Sequence, residues 1–214
     1  MPGSAILAID VLLEPDARML APAEEHNARL GAAFPEGFAL DEQHRPHITL
    51  LQCFAASADL EALYRAIGAV VGKAGLADME LHAVRYGYTP GPGMGIAGIW
   101  AAVTPALASL QADVINAARP FMVPTGTITA FTADHGNPAF DAALIDYVTN
   151  FVDKGAGTRF EPHVSTGVAP IPYLDAMLAE PFEPFRFGTA SAAVFQLGPF
   201  GTAARRLKRW EVPA

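Results

Sequence analysis

The sequence holds one cysteine, Cys53, in 214 residues. That excludes an internal disulfide framework and any cysteine-rich zinc site. Cys53 stands in the apolar run LLQCF, where a buried, inert thiol is expected. Positive charge is also scarce: 14 Lys and Arg stand against 22 Asp and Glu, a formal net charge of −8. A protein that holds long nucleic acid neutralises many phosphates with clustered Lys and Arg, so no long nucleic acid is an expected partner. A small phosphorylated ligand in a local positive pocket stays compatible with this balance. No apolar run is long enough to span a bilayer, so no membrane partner is expected. The opening MPGSAILAIDVLL lacks the basic n-region and full apolar h-region of an intact export signal. A cytoplasmic location is the expectation, with the periplasm as the alternative if an export signal has been trimmed.

What is present suits a packed interior of helices and strands, since 51% of the residues are hydrophobic. AILAIDVLL reads as a strand that ends at the turn signal EPD. Helical spacing follows from Asp16 to about Ala33, and RPHITLLQCF (Arg45 to Phe54) reads as a second strand. SADLEALYRAIGAVVGKAG is the clearest amphipathic helix, with Ser57 or Asp59 as its cap. DMELHAVRYGY and GIAGIWAAV are strands joined by the Gly/Pro-rich TPGPGMG. PALASLQADVINAA and AFDAALIDYVTNFVDK are helices, the first opening with a proline in its first turn. Then come the strand in FEPHVSTGVAP, a short helix in IPYLDAMLAE, and a final strand, turn and basic strand in SAAVFQLGPFGTAARRLKRWEV. No linker interrupts this order, so residues 1–214 are read as one domain of two related lobes.

One short phrase is written twice. Pro46-His47-Ile48-Thr49 returns about half the chain later as Pro162-His163-Val164-Ser165. Side chains alternate along a strand, so His47 and Thr49 share one face while Ile48 and Leu50 share the other. His163 and Ser165 pair likewise. If the two strands face each other, two imidazoles and two hydroxyls converge on one cleft. In-line displacement at phosphorus wants that set. One histidine takes a proton from the attacking water, the other gives one to the leaving oxygen, and hydroxyl donors hold the non-bridging oxygens. No metal or other cofactor is required.

The two H-x-(T/S) motifs resemble those of the 2H phosphoesterase superfamily, which includes cyclic nucleotide phosphodiesterases and bacterial 2′-5′ RNA ligase-like proteins. The tail VFQLGPFGTAARRLKRW (Val194 to Trp210) is similar to the ligase-like branch, whose last strands often read Leu-Gly-x-x-Gly-Thr-Ala. The resemblance implies an α+β, bilobal fold, with two antiparallel β-sheets flanking a central groove and helices outside. It implies His47 and His163 as the acid/base pair, and Thr49 and Ser165 as phosphate-binding hydroxyls. Two departures stand out. Gln52 replaces the phenylalanine that usually closes the first motif, and Thr166, Gly167 and Val168 replace a usual Leu-Ala-Arg after the second. The missing arginine argues against a tRNA-type substrate and leaves the acid/base assignment untouched.

The expected activity is metal-independent hydrolysis of a 2′,3′-cyclic phosphate or a similar small cyclic phosphodiester. The partner would be a small nucleotide or an RNA-terminal cyclic phosphate, and the protein a monomer. The alternatives are a 2′-5′ RNA ligase or 2′-5′ phosphodiesterase using the same four residues, and a nucleotide- or RNA-binding module without turnover. Tyr88, Trp100, Arg45 and Arg205 are candidate substrate contacts, with Arg159 an alternative of similar weight to Arg45. The competing default for the tyrosine and tryptophan is hairpin packing, and for Arg205 a solvated edge strand. A metal reading would join His44 and His47 to His163 and to Asp41 or Glu161; His26, His82 and His135 read as scattered structural or surface residues. The glycine-rich Thr89 to Gly98 lacks the G-K-[ST] ending of a phosphate loop and reads as a loop between strands.

Overall fold

The computed structural model describes residues 4–42, 44–91, 93–133 and 138–212. The elements in chain order are β1 (Ile6–Pro15), α1 (Ala17–Ala33), β2 (Ile48–Ala56), α2 (Leu60–Val71), β3 (Leu81–Pro90), β4 (Met94–Ala101) and α3 (Pro105–Ala118). They continue as β5 (Met122–Val123), α4 (Pro138–Thr149), α5 (Phe151–Gly155), β6 (His163–Pro170), α6 (Ile171–Leu178), β7 (Phe185–Phe187), β8 (Thr189–Leu197) and β9 (Ala203–Glu211). Two antiparallel sheets result, one in the order β5-β2-β1-β8-β9 and the other β6-β4-β3-β7. The α+β, two-sheet architecture that the resemblance implies is the one observed.

The sheets repeat one plan. In each, the motif strand (β2 or β6) pairs antiparallel with a long strand (β1 or β4), which pairs in turn with another (β8 or β3). The largest apolar cluster draws on both, joining Ile9, Val11 and Leu50 of the first sheet to Leu81, Ile99 and Val164 of the second. Burial of that continuous interior ties the lobes together.

Helix ends follow local chemistry. The Asp16 carboxylate accepts from the Arg18 backbone N–H at 3.0 Å and starts α1, while the Thr104 hydroxyl accepts from Leu107 N–H at 3.2 Å and starts α3. The helix expected after Ser57 begins later, because Ser57–Asp59 form a 3-10 turn and neither Ser57 nor Asp59 gives a side-chain cap. The long helix expected over 139–154 is broken at Asn150 into α4 and α5. The glycine-rich Thr89 to Gly98 is mostly strand, with β3 and β4 reaching to Pro90 and back from Met94.

One buried histidine pins α1 to the second sheet. His26 sits within hydrogen-bond distance of Thr166 Oγ1, at 2.7 Å, and stacks on Tyr86 with ring centroids 4.6 Å apart. Burial lowers its pKa from the usual histidine value to about 4, with the Arg29 charge adding to the effect. The unfolded chain therefore takes up a proton at pH 6.5 that the folded chain refuses until about pH 4. Stability from this group is complete above pH 6.5 and falls as pH drops through that window. Denaturant titrations should show a loss of about 3 kcal/mol between pH 7 and pH 4. A His26→Gln variant, weaker at neutral pH, should lack that part of the slope.

A close approach fixes the geometry of the second motif strand. Gly98 of β4 pairs with Ser165 of β6, and a Cβ on Gly98 would stand 2.7 Å from the Val164 carbonyl oxygen. That neighbour is backbone and yields only by moving β6. Gly98→Ala is expected to destabilise by about 1–3 kcal/mol, measured as a lower thermal midpoint.

Candidate active site

Both motif strands open onto one groove of about 870 Å³. His47, Thr49, His163 and Ser165 all line it, together with Arg45, Gln52 and Arg159. Behind the first motif Ile48 and Leu50 are fully buried, and behind the second so is Val164. The alternation expected from sequence holds across both motifs.

Each strand departs from regular pairing at the same place. On β1–β2, Leu12 pairs with Thr49 and Val11 with Leu51, so Leu50 has no partner. On β4–β6, Gly98 pairs with Ser165 and Ala97 with Gly167, so Thr166 has none. An extra residue of this kind shifts which side chains share a face. Simple alternation would put Gln52 opposite Thr49, yet both line the groove.

The histidines are held alike on one side. A carbonyl oxygen can only accept, so His47 Nδ1–H donates to Arg45 O at 2.6 Å and His163 Nδ1–H to Glu161 O at 2.8 Å. Each ring thus keeps Nε2 as its reactive nitrogen. Below His47 lies Asp10 of β1, fully buried. Asp10 Oδ2 is 3.5 Å from His47 Nε2 and accepts from Thr49 Oγ1 at 2.8 Å and from Gln52 Nε2 at 2.9 Å. Burial disfavours charge on His47, but the Asp10 carboxylate more than offsets it, helped by the Arg45 carbonyl and Glu14; the net pKa is raised. On His163 burial prevails over the Glu161 carbonyl, and the charges of His47 and Arg85 add to it, so the net pKa is lowered.

The hydroxyls differ too. Thr49 directs its proton to Asp10 and presents lone pairs to the groove. Ser165 Oγ has no such partner among the described residues and is free to donate.

The remaining candidates separate clearly. Arg45 lines the groove and pairs with Glu14 at 3.5 Å. Arg159 lines it as well, donating to the Asp153 carbonyl at 2.5 Å. Trp100 is only 5% exposed and offers no free platform. It stacks on His163 with centroids 4.6 Å apart, the Arg85 guanidinium lies 4.9 Å from its ring, and its indole N–H reaches Glu161 at 3.5 Å. Its ring lies against Gly87 and Gly98, where a Cβ would come within 2.7 and 3.1 Å of it. Tyr88 donates to Asp175 at 2.8 Å and is not among the groove residues. Nor is Arg205, which stands on the edge strand β9 and donates to Gln196 at 2.5 Å.

His44 bonds Asp41 at 2.9 Å and stacks on Phe38, and among the described residues no group of three His, Cys, Asp or Glu is disposed to hold a metal. His82 is exposed beside Glu80, and His135 lies outside the described residues. Cys53 is buried, with its thiol pushed up to about 12, first by burial and then by Asp10.

Asp10 is the site residue that reasoning from sequence passed over. Its signal was a lone carboxylate inside the apolar run AILAIDVLL.

No family model matches the sequence, and no curated protein matches it. Among solved structures, TT0787 of Thermus thermophilus has a TM-score of 0.53 at 17% identity, with 96% of this chain and 97% of that chain covered. The shared architecture therefore runs through both sheets. The chain shares the fold of TT0787. Usb1 of Kluyveromyces marxianus also aligns along the chain, with 98% and 99% of the two chains covered, 9% identity and a TM-score of 0.39. In this fold His163 opens β6, and His47 stands just before the equivalent strand β2. Among the described residues, no helix is long and apolar enough to cross a membrane.

Proposed function

We propose that the chain is a metal-independent phosphodiesterase that hydrolyses 2′,3′-cyclic phosphates or similar small cyclic nucleotide phosphodiesters. The observation that carries this reading is the convergence of both H-x-(T/S) motifs on one groove from equivalent strands of two sheets. Two imidazoles, each held through Nδ1 on a backbone carbonyl, leave their Nε2 atoms to supply the proton acceptor and donor that in-line hydrolysis needs. The Ser165 hydroxyl, with Arg45 and Arg159 at the margins, supplies charge stabilisation for the phosphoryl oxygens. Away from the histidines the groove is walled by Leu144, Tyr147, Phe151, Phe160 and Phe200. That apolar wall suits the flat face of a base, with the phosphate at the polar end. A free nucleotide or the terminal cyclic phosphate of an RNA fits this arrangement.

The test is hydrolysis of the four nucleoside 2′,3′-cyclic monophosphates in EDTA by the wild type, His47→Ala and His163→Ala. Turnover that both substitutions abolish supports the reading. Turnover that appears only after a divalent metal is added overturns it. Inactivity in both conditions, with activity on 2′-5′-linked oligonucleotides, moves the substrate to that class.

A further inference from the structure

The two histidines share one anchoring pattern, but a carboxylate faces only one of them. Asp10 Oδ2 stands 3.5 Å from His47 Nε2. Glu161, the acidic residue beside His163, instead directs its Oε2 to the Trp100 indole at 3.5 Å.

Asp10 is an unusual residue to find in the middle of a sheet. It is wholly buried between β2 and β8, it accepts from two neutral donors, and its Oδ1 has no partner among the described residues. Neutral donors satisfy lone pairs without balancing charge, and a buried carboxylate without a cation is costly. The other charged groups around the groove are engaged elsewhere. Arg45 and Arg209 pair with Glu14, Lys154 with Asp146, and Arg159 with a backbone carbonyl. Tyr147 of α4 feels Asp10 only as an anion that opposes its ionisation, after burial. His47 is the group placed to match the charge. Its Nδ1 already carries a proton for Arg45 O, so a second proton on Nε2, 3.5 Å from the carboxylate, is what makes the ring that cation.

Building on the phosphodiesterase reading above, we infer that Asp10 is a positioning residue that holds His47 as the imidazolium, making His47 the general acid and His163 the general base. His163 Nε2 takes a proton from water as the water oxygen forms the new bond to phosphorus. The bond from phosphorus to the departing ribose oxygen breaks, and His47 Nε2–H protonates that oxygen. The step leaves His163 charged and His47 neutral, with its lone pair against Asp10. That contact is unfavourable and favours prompt reprotonation of His47 from solvent. The opposed directions of the two histidine pKa values agree with this division of labour.

Asp10→Asn keeps the shape and removes the charge. The first readout is the ¹⁵N titration of the two imidazoles by NMR, which needs no substrate. In the wild type His47 should titrate above His163, and in Asp10→Asn the His47 midpoint should fall by about one unit or more. The second readout is the pH profile of kcat/KM. Its alkaline limb should move down with His47, about tenfold in rate per unit, while the acid limb set by His163 stays in place. The third uses bis(4-nitrophenyl) phosphate, whose leaving group needs no proton. His47→Ala should recover most of its lost activity on this ester, and His163→Ala should not.

A wild-type His47 that titrates below His163 overturns the inference without any variant. So does an alkaline limb that Asp10→Asn leaves unmoved in an active enzyme, and in that case the phosphodiesterase reading stands. If the wild type cleaves no phosphodiester, that reading fails, while the order of titration still decides whether Asp10 charges His47.

Discussion

His163→Ala is expected to slow hydrolysis of a 2′,3′-cyclic phosphate in EDTA by about 10²–10⁴-fold, and His47→Ala by a similar factor. In the proposed mechanism each ring supplies a proton transfer that water performs poorly at neutral pH, and among the described residues neither has a substitute within the groove. His44, the next imidazole along the chain, is bonded to Asp41. The two losses should not multiply, because acid and base act in one concerted displacement; the double variant should fall little below the worse single one. His163→Ala should leave the denaturant midpoint near the wild-type value, whereas His47→Ala strips the buried Asp10 of its cation and should lower it, so both variants are assayed where circular dichroism shows them folded. That separates lost chemistry from lost folding. A variant of either histidine that turns over at the wild-type rate would remove the twin-histidine mechanism.

Trp100→Ala should cost about 3–5 kcal/mol of stability, among the largest effects of any single substitution in this chain. The ring is almost fully buried and packs against Gly87, Gly98 and the His163 imidazole. Neither glycine has a Cβ that could fill part of the space the ring would leave. Thermal denaturation should show the midpoint fall by about 6–20 °C. The catalytic consequence is separate. Burial is the main cause of the low pKa of His163, so opening its flank to water should move that pKa up. The acid limb of the rate profile should follow. Trp100→Phe retains a stacking face and should keep the limb near its wild-type place at a smaller cost in stability. An acid limb unchanged in Trp100→Ala would mean that other contacts set the environment of His163.

The sequence carried the twin motifs in plain view because a strand's period of two puts His47 with Thr49, and His163 with Ser165, whatever the strand packs against. It carried the main helices through their apolar stripes, while the caps at Asp16 and Thr104 emerged only in the structure and the cap expected at Ser57 or Asp59 did not form. What it hid depends on pairing between distant strands. The unpaired Leu50, which brings Gln52 round to the groove, is visible only from the register with β1. Asp10 acquires a role only when β1 lies beside β2. As an aromatic in a strand Trp100 suits packing by default and a base platform as a candidate, and the partner that decides it, His163, is far along the chain but directly opposite on β6. β7 was missed outright, since a three-residue strand has no periodicity to read. The break at Asn150 was also missed, because the apolar residues of α4 and α5 continue in a spacing that one helix could carry.

The strand order of the first sheet bears on how this molecule must be made. β1 lies between β2, its near neighbour in sequence, and β8, which arrives only near the far end of the chain. The Ser191 hydroxyl that donates to Glu14 lies 177 residues away from it. Closing so long a loop costs entropy before any contact rewards it, so folding should be slow and of high contact order. During synthesis the N-terminal strands must wait with one edge of β1 open, a template for pairing with other chains. The floor of the groove, where Asp10 sits, is therefore among the last parts to be sealed.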